Sequence, residues 1–178
     1  MAFLVVAYPE ISKTDFEEIQ NFRSQHDALY YHLVQPHFTI VFPIDNIPEN
    51  VFRAEVISKA KTFSKFSFVL RSAVVNKDAF SNQFHIFLVP DEGFSALIKL
   101  HDLMYSDTFK ENHRLDIDFI PHIGIGNSTD RETVKAWVDE WNSKDFSIIG
   151  QISFLTILQY ENGKVESILD VRLNENQE

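Results

Sequence analysis

The chain has 178 residues, of which 44% are hydrophobic and 17 are phenylalanine, so it can bury a sizeable core and is not a disordered chain. It has no cysteine, which excludes disulfides, thiolate metal sites and a cysteine nucleophile. Its formal net charge of −10 gives it no general attraction for a long phosphate backbone, which disfavours extended nucleic acid as a partner.

The N-terminal segment MAFLVVAYPE is apolar, but it lacks the basic start and the small-residue cleavage site of a signal peptide. Its centre, FLVVAY, predicts a first buried strand. No run approaches 18 consecutive apolar residues, so we expect no membrane span. We therefore expect a cytoplasmic protein that is a monomer or a small oligomer.

Helix and strand patterns alternate through the first half of the chain. Thr14 and Glu17 form a capping-box signal ahead of a helix whose apolar residues are Phe16, Ile19 and Phe22. The segment YHLVQPHFTIVF is rich in β-branched and aromatic residues and predicts a strand. After IDNIPEN, helical spacing predicts a second helix with Phe52, Val56, Ala60 and Phe63 on its inner face.

The second half continues with a predicted hairpin, in which FSFVLRSAVV and QFHIFLVP flank the polar turn NKDAFSN. Asp91 can begin a third helix, whose predicted inner face is Phe94, Leu97, Ile98, His101 and Met104. LDIDFIPHIGIG predicts another strand, and Thr129 with Glu132 repeats the capping box before a helix bearing Val134, Trp137, Val138 and Trp141. The C-terminal region predicts two strands around an Asn162-Gly163 turn.

The predicted order, βαβαββαβαββ, combines alternating helices with hairpins. It favours an α+β fold with antiparallel or mixed sheets over a doubly wound parallel sheet. A similar phrase, Pro-His followed by a hydrophobic residue, occurs in each half with a helix after it. We therefore predict a duplicated, bilobal architecture with pseudo-two-fold symmetry, packed as one domain over residues 1–178.

The two similar phrases are QPHFTI at residues 35–40 and IPHIGI at residues 120–125. Because side chains alternate between the faces of a strand, Gln35, His37 and Thr39 share the predicted non-core face of the first phrase. His122 and Gly124 share that face in the second. Each strand is thus predicted to present one histidine, with a small residue two positions further along.

Such a pair of histidines suits acid–base chemistry. Imidazole has an ordinary pKa of about 6.5, so one ring can accept a proton while the other donates one. The Thr39 hydroxyl and backbone N–H could bind a phosphate oxygen. This set of groups can cleave a phosphodiester without a metal.

The HFTI segment at residues 37–40 matches the H-x-[Ser/Thr]-hydrophobic motif of the two-histidine (2H) phosphoesterase superfamily. The chain resembles that superfamily, which includes RNA 2′,5′-ligase-like proteins and 2′,3′-cyclic nucleotide phosphodiesterases, over essentially its whole length. The resemblance implies two symmetric sheets around a central cleft, with helices outside. It also implies that His37 and His122 are the acid–base pair, that Thr39 binds phosphate, and that no cofactor or metal is needed.

The second phrase departs from the family pattern at two positions. Gly124 stands where the family usually has Ser or Thr, and Asn127 stands where many ligase-like members have Arg. Gly124 could still donate its backbone N–H to phosphate. Arg71, Arg114 and Arg131 are the candidates for a replacement charge.

Two functional hypotheses follow. The first is a phosphoesterase for a small 2′,3′-cyclic or 2′,5′-linked nucleotide or oligonucleotide. The second is a weakened or inactive member that binds a nucleotide or phosphorylated ligand in the same cleft. The acidic charge is concentrated in residues 90–178, which have 8 Lys and Arg against 17 Asp and Glu, and this favours a small substrate over a large RNA.

Other polar residues give weaker signals. His85 and Gln35 are possible cleft-lining residues, and His85 could equally be solvated. His101 lies on an apolar helical face and is predicted to be a core or interfacial residue. Asp116, Asp118 and His122 share a predicted strand face, but residues two apart point in parallel and no metal motif is present, so we predict no metal site.

Overall fold

Strands and helices alternate along residues 1–175, which are the residues that the computed structural model describes. The strands are β1 (Ala2–Ala7), β2 (Glu10–Ile11), β3 (Phe38–Ile44), β4 (Phe66–Lys77), β5 (Phe84–Glu92), β6 (Ile123–Ser128), β7 (Ile148–Ile152), β8 (Phe154–Glu161) and β9 (Lys164–Arg172). The helices are α1 (Lys13–His26), α2 (Glu49–Ala60), α3 (Phe94–Met104) and α4 (Arg131–Ser143), with a short 3-10 helix at Asp107–Asn112. The fold is therefore α+β.

The named strands form two antiparallel sheets. One has four strands in the order β3-β1-β8-β9, and the other has five in the order β2-β7-β4-β5-β6. The two strands that carry the similar phrases, β3 and β6, are each the edge strand of a different sheet. The strand orders thus have a pseudo-two-fold correspondence, in which β3 matches β6 and β1 matches β5.

The helices follow the same symmetry. Helix α1 precedes β3 in the chain but packs against β6, whereas α3 precedes β6 but packs against β3. Helix α4 covers β4 and β5. Because each sheet also takes strands from both halves of the chain, the lobes are interleaved and do not correspond to the two sequence halves.

Apolar side chains from both sheets form one buried cluster. It includes Val5 of β1, Ile40 of β3, Leu70 of β4, Ile123 of β6 and Ile157 of β8. This shared core fixes one sheet against the other and so sets the position of the space between them. Within residues 1–175, no helix is both long enough and apolar enough to cross a membrane.

The helices begin at residues other than those predicted. Ser12, not Thr14, caps α1, because its hydroxyl accepts from the Asp15 backbone N–H. Likewise Asp130, not Thr129, caps α4 by accepting from the N–H of Glu132. Both regions hold neighbouring residues that can cap a helix, and spacing alone does not choose between them.

Asp91 does not begin the third helix. It lies at the end of β5, where its carboxylate accepts from Arg71 at 2.7 Å. The helix starts after Gly93, whose φ of +80° is the left-handed conformation that glycine adopts readily.

Both phrase-bearing strands start later than predicted. Residues 31–37 precede β3 as turns, in which the Tyr30 carbonyl accepts from Leu33 and Val34. Residues 115–122 precede β6 in irregular structure, and Leu115, the first residue of the predicted strand, is 85% exposed. Turn hydrogen bonds at Val34 and Ile117, followed by residues without regular structure, thus replace the predicted strand pairing ahead of the two histidines.

The C-terminal region forms three strands rather than the two predicted. Strand β7 pairs with β2 and β4 in the five-stranded sheet, whereas β8 and β9 belong to the other sheet. The predicted Asn162-Gly163 turn is confirmed between β8 and β9, and both residues have positive φ, at 51° and 75°. The two-residue strand β2 was not predicted.

Candidate active site

A cavity of about 530 Å³ lies between the two sheets. Leu4 of β1, Phe42 of β3 and Leu158 of β8 line it from the four-stranded sheet. Phe87 of β5 and Gly124 of β6 line it from the five-stranded sheet. The cavity is therefore a cleft between the two lobes, bounded by the edge strands that carry the two phrases.

His37 and His122 both line this cavity, immediately ahead of β3 and β6. Nδ1 of His37 is 2.7 Å from the carbonyl oxygen of Gln35, and Nδ1 of His122 is 2.6 Å from that of Ile120. Because a carbonyl oxygen can only accept, each Nδ1 carries the hydrogen when the ring is neutral. Nε2 of each ring is then the atom with a free lone pair.

Both imidazoles resist protonation. Burial lowers the pKa of His37 to about 4, against the opposing effect of its hydrogen bond to Gln35, and Arg23 lowers it further. Burial likewise lowers the pKa of His122 to about 4, and the nearby His37 and His85 add to the shift. At neutral pH the cleft of the free protein thus presents two neutral rings.

These shifts predict a loss of stability in mild acid. Unfolding returns each pKa from about 4 to about 6.5, so the unfolded chain binds more protons between these pH values and stability falls as pH is lowered through this window. At about 1.4 kcal/mol per pKa unit, each ring can lower the free energy of unfolding by at most about 3.5 kcal/mol across this window. Urea titrations from pH 7.5 to 4 measure this effect.

The double variant His37→Gln, His122→Gln should show a shallower fall in unfolding free energy over that window than the original chain. The exposed His32 provides the control, since His32→Gln should leave the slope unchanged. An equal slope in all three proteins would contradict the assignment of the shifts.

Thr39 and Gly124 also line the cavity, each two residues after its histidine. The pairing of β1 with β3 has register shifts that place extra residues in β3, and these interrupt the regular alternation of its side chains. Thr39 and Phe42 therefore both face the cavity, whereas Val41 between them is buried. Within the described part of the chain the Thr39 hydroxyl makes no hydrogen bond to protein. It is therefore free to bind a ligand oxygen.

His85 lines the cavity rather than facing bulk solvent, and it is 8% exposed. Its ring lies 5.7 Å from Phe87 and 6.4 Å from Tyr30, stacked with each, and Phe87 in turn stacks on His122 with ring centroids 3.5 Å apart. Four rings thus form a continuous aromatic surface along the five-stranded sheet, ending at His122.

The structure places Gln35 outside the residues that line the cavity, which corrects the prediction that it lines the cleft. Its side chain is exposed and accepts from Nε2 of Gln20 at 2.8 Å. The prediction extended strand alternation back to Gln35, but β3 begins only at Phe38. What Gln35 provides is its carbonyl oxygen, which orients the His37 ring.

A buried polar network at the cleft wall was not predicted from the sequence. Arg23 and Asp27 form an ion pair in which both side chains are at most 2% exposed, with Nε of Arg23 2.9 Å from Oδ2 of Asp27. Oδ1 of Asp27 accepts from Asn127 at 2.6 Å and from the Tyr30 backbone N–H at 3.1 Å. Asn127 therefore ties β6 to the end of α1.

Gly126 makes this junction possible. A Cβ at that position would lie 3.0 Å from Cγ2 of Ile86 and 3.2 Å from Cβ of His26, closer than ordinary contacts. The missing side chain lets the end of α1 approach β6, which brings Asp27 within reach of Asn127.

Among the described residues, those that line the cleft carry no excess of positive charge. The charged ones are Arg23, Lys77, Asp27, Asp78 and Asp118. Arg23 is paired with Asp27, and Nζ of Lys77 contacts the Asp78 and Ser81 carbonyls. The candidates from sequence, Arg71, Arg114 and Arg131, are not among the lining residues.

Two sheets that bring a pair of similarly held histidines to one cleft are the arrangement expected of a 2H phosphoesterase. The family model of the 2′-5′ RNA ligase superfamily matches residues 9–164. The chain therefore belongs to the 2′-5′ RNA ligase superfamily, within the 2H phosphoesterases. No curated protein matches the chain significantly.

Solved structures support the fold at low identity. The protein TT0787 of Thermus thermophilus matches with a TM-score of 0.65 at 10% identity, covering 99% of this chain and 100% of its own. Escherichia coli LigT complexed with NADP+ matches at 0.60 and 14%, covering 98% of each chain. Kluyveromyces marxianus Usb1 matches at 0.54 and 8%, covering 97% of this chain and 98% of its own.

Proposed function

We propose that this protein is a metal-independent phosphoesterase that hydrolyses a small 2′,3′-cyclic or 2′,5′-linked phosphodiester by paired-histidine acid–base catalysis. The observation that carries the proposal is the matched arrangement of His37 and His122, since each Nδ1 is held by a backbone carbonyl two residues upstream and both rings line one cavity. Thr39 and the backbone N–H of Gly124 are the proposed phosphate ligands.

In the proposed reaction one histidine takes a proton from water as the water oxygen bonds to phosphorus. The bond from phosphorus to the ribose oxygen breaks, and the other histidine protonates that leaving oxygen. Both rings are neutral in the free protein, so one must gain a proton before turnover. A phosphodiester bound between the two rings would favour this protonation, because a nearby negative charge raises the pKa of an imidazole.

The charges of the cleft favour a substrate with few phosphates. Each cation among the described lining residues is already engaged by acidic or carbonyl oxygens, and Asp118 adds an exposed carboxylate. A triphosphate or a long oligonucleotide would therefore gain little attraction there. The aromatic surface from Tyr30 to His122 favours a ligand that carries a nucleoside next to its phosphate, because bases stack on aromatic rings.

The decisive experiment incubates purified protein with 2′,3′-cyclic nucleotides and 2′,5′-linked dinucleotides, with and without EDTA. The panel includes the same compounds bearing an additional 5′-phosphate. We expect product formation to persist in EDTA. We also expect kcat/KM to be lower for the compounds that bear the additional 5′-phosphate. Product that disappears in EDTA would overturn the metal-independent mechanism, and the absence of product across the panel would overturn the enzyme.

A second candidate function is ligand binding without turnover, and the residues at 124 and 127 favour it. Gly124 brings no hydroxyl, and Asn127 is occupied by Asp27 rather than directed at a ligand. This alternative predicts that calorimetry detects nucleotide binding to the original chain while the same samples yield no product.

The variant Gly124→Ser tests what the missing hydroxyl costs. A Cβ on Gly124 would meet only Cε1 of Phe87, at 3.9 Å, so serine fits without displacing a neighbour. A new hydrogen bond to a charged phosphate contributes about 1.5–3 kcal/mol, so we expect kcat/KM, or affinity in a non-catalytic protein, to rise about tenfold or more. The control Gly124→Ala adds the carbon without the hydroxyl and should not reproduce the gain.

A further inference from the structure

A cluster of side chains that could bind a metal ion lies outside the cleft chemistry, where α3 meets the segment after the 3-10 helix. His101 and Asp102 are on α3, and His113 follows the 3-10 helix. One ligand atom from each of the three lies within 4.8 Å of the other two. The three residues come from two separate parts of the chain.

The His101 ring is fixed before any ligand arrives. It is 2% exposed, stacks on Phe119 with ring centroids 3.5 Å apart, and its Nδ1 is 2.8 Å from the carbonyl oxygen of Ile40. That carbonyl can only accept, so Nδ1 carries the hydrogen and Nε2 has the lone pair. Metal-binding histidines are commonly oriented by such a bond from the other ring nitrogen.

The other two residues have unused ligand atoms. Across residues 1–175, neither the Asp102 carboxylate nor the His113 ring takes part in a hydrogen bond or an ion pair. His113 instead stacks on Tyr105, with ring centroids 4.7 Å apart.

We propose that His101, Asp102 and His113 form a binding site for a divalent transition-metal ion of the Zn²⁺ class. Two imidazoles and one carboxylate match the ligands that Zn²⁺ prefers, and water can complete a tetrahedron. Zn–N bonds of about 2.0–2.1 Å require the three ligand atoms to lie closer together than 4.8 Å. The exposed Asp102 and half-buried His113 can make that movement while His101 stays fixed.

The site would connect three parts of the fold that border the cleft. His101 holds the backbone of β3 at Ile40, next to Thr39. His113 begins the irregular segment that leads to His122, and Phe119 of that segment both stacks on His101 and lines the cavity. A bound ion would therefore stiffen the approach to the second histidine without touching the reacting groups.

The test uses full-length protein freed of metal with EDTA and then desalted. Calorimetry with ZnCl₂ should give one ion per chain, thermal unfolding should shift to higher temperature with added ZnCl₂, and Co²⁺ should give the visible absorption of a four-coordinate ion. Absence of a one-to-one zinc isotherm would overturn the site, whatever the phosphoesterase assay shows.

The site is tested with the variants His113→Ala and Asp102→Asn, because neither side chain is buried and its replacement should not unfold the protein. Each should weaken zinc binding about tenfold or more and reduce the thermal shift at a fixed ZnCl₂ concentration, whereas His32→Ala should bind as the original chain does. Zinc binding by either site variant that equals that of the original chain would overturn the proposal. Phosphodiester hydrolysis in EDTA should be unchanged in both, so the failure of one proposal is distinguishable from the failure of the other.

Discussion

Replacing either cleft histidine by asparagine is expected to lower kcat by about 10²–10⁴-fold on any phosphodiester that the original chain hydrolyses, because each ring supplies one proton transfer in the transition state. The variants are His37→Asn and His122→Asn, and asparagine keeps a side-chain N–H for the upstream carbonyl. The kcat of the double variant should be only slightly lower than that of the less active single variant, because the effects of groups that act as a unit are not additive. The measurement is kcat at neutral pH in the presence of EDTA.

Two controls make this result specific. His32→Asn changes an exposed histidine outside the cavity and should retain full activity. Thermal unfolding of each variant shows whether the fold is kept, so that lost activity is not confused with lost structure. A folded His37→Asn or His122→Asn protein with more than about a tenth of the original kcat would contradict a general acid–base role for that residue.

The two histidines could be found from the sequence because their signal is local. Each lies in a phrase of six residues, with a proline before it and apolar residues that anchor the following strand. Their pairing in one cleft follows from the internal symmetry, which exchanges the edge strands β3 and β6. Alternation within β5 also allowed His85 to be considered for the cleft, although it could not choose between cleft and solvent.

Features that depend on distant contacts could not be predicted in the same way. Asp27 and Asn127 are 100 residues apart, and their hydrogen bond requires the close approach of α1 to β6 at Gly126. Irregular structure before His37 and His122 was also missed, because the apolar residues there line the cavity rather than a strand core. A residue that faces a ligand cavity looks like a core residue in the sequence.

The position of Arg23 in the sequence does contain a signal for its burial. It stands four residues after the buried Ile19 and four before Asp27, so it falls on the apolar stripe of α1 with its partner one turn further on. A charged pair at that spacing on a buried face indicates an internal ion pair. In this chain Asp27 binds both Arg23 and Asn127, so the cationic group at this wall comes from α1 rather than β6.

This network leads to the largest stability effect that we predict. Asp27→Ala leaves the Arg23 guanidinium, 1% exposed, without its anion, and removal of one partner from a buried ion pair costs about 3–5 kcal/mol. It also removes the acceptor for Asn127 and for the Tyr30 backbone N–H. Urea denaturation at pH 7 should therefore show a free energy of unfolding lower by that amount.

The matched control is Asp139→Ala in α4, where Lys135 and Asp139 form an ion pair with the same four-residue spacing but with both side chains more than half exposed. Its removal should cost at most about 0.5 kcal/mol, because solvent screens such a pair. The double variant Arg23→Met, Asp27→Leu should recover most of the stability lost in Asp27→Ala, since paired apolar residues avoid burying an uncompensated charge. A loss below about 1 kcal/mol in Asp27→Ala, or no recovery in the double variant, would show that the cost of burying Arg23 is met by groups other than Asp27.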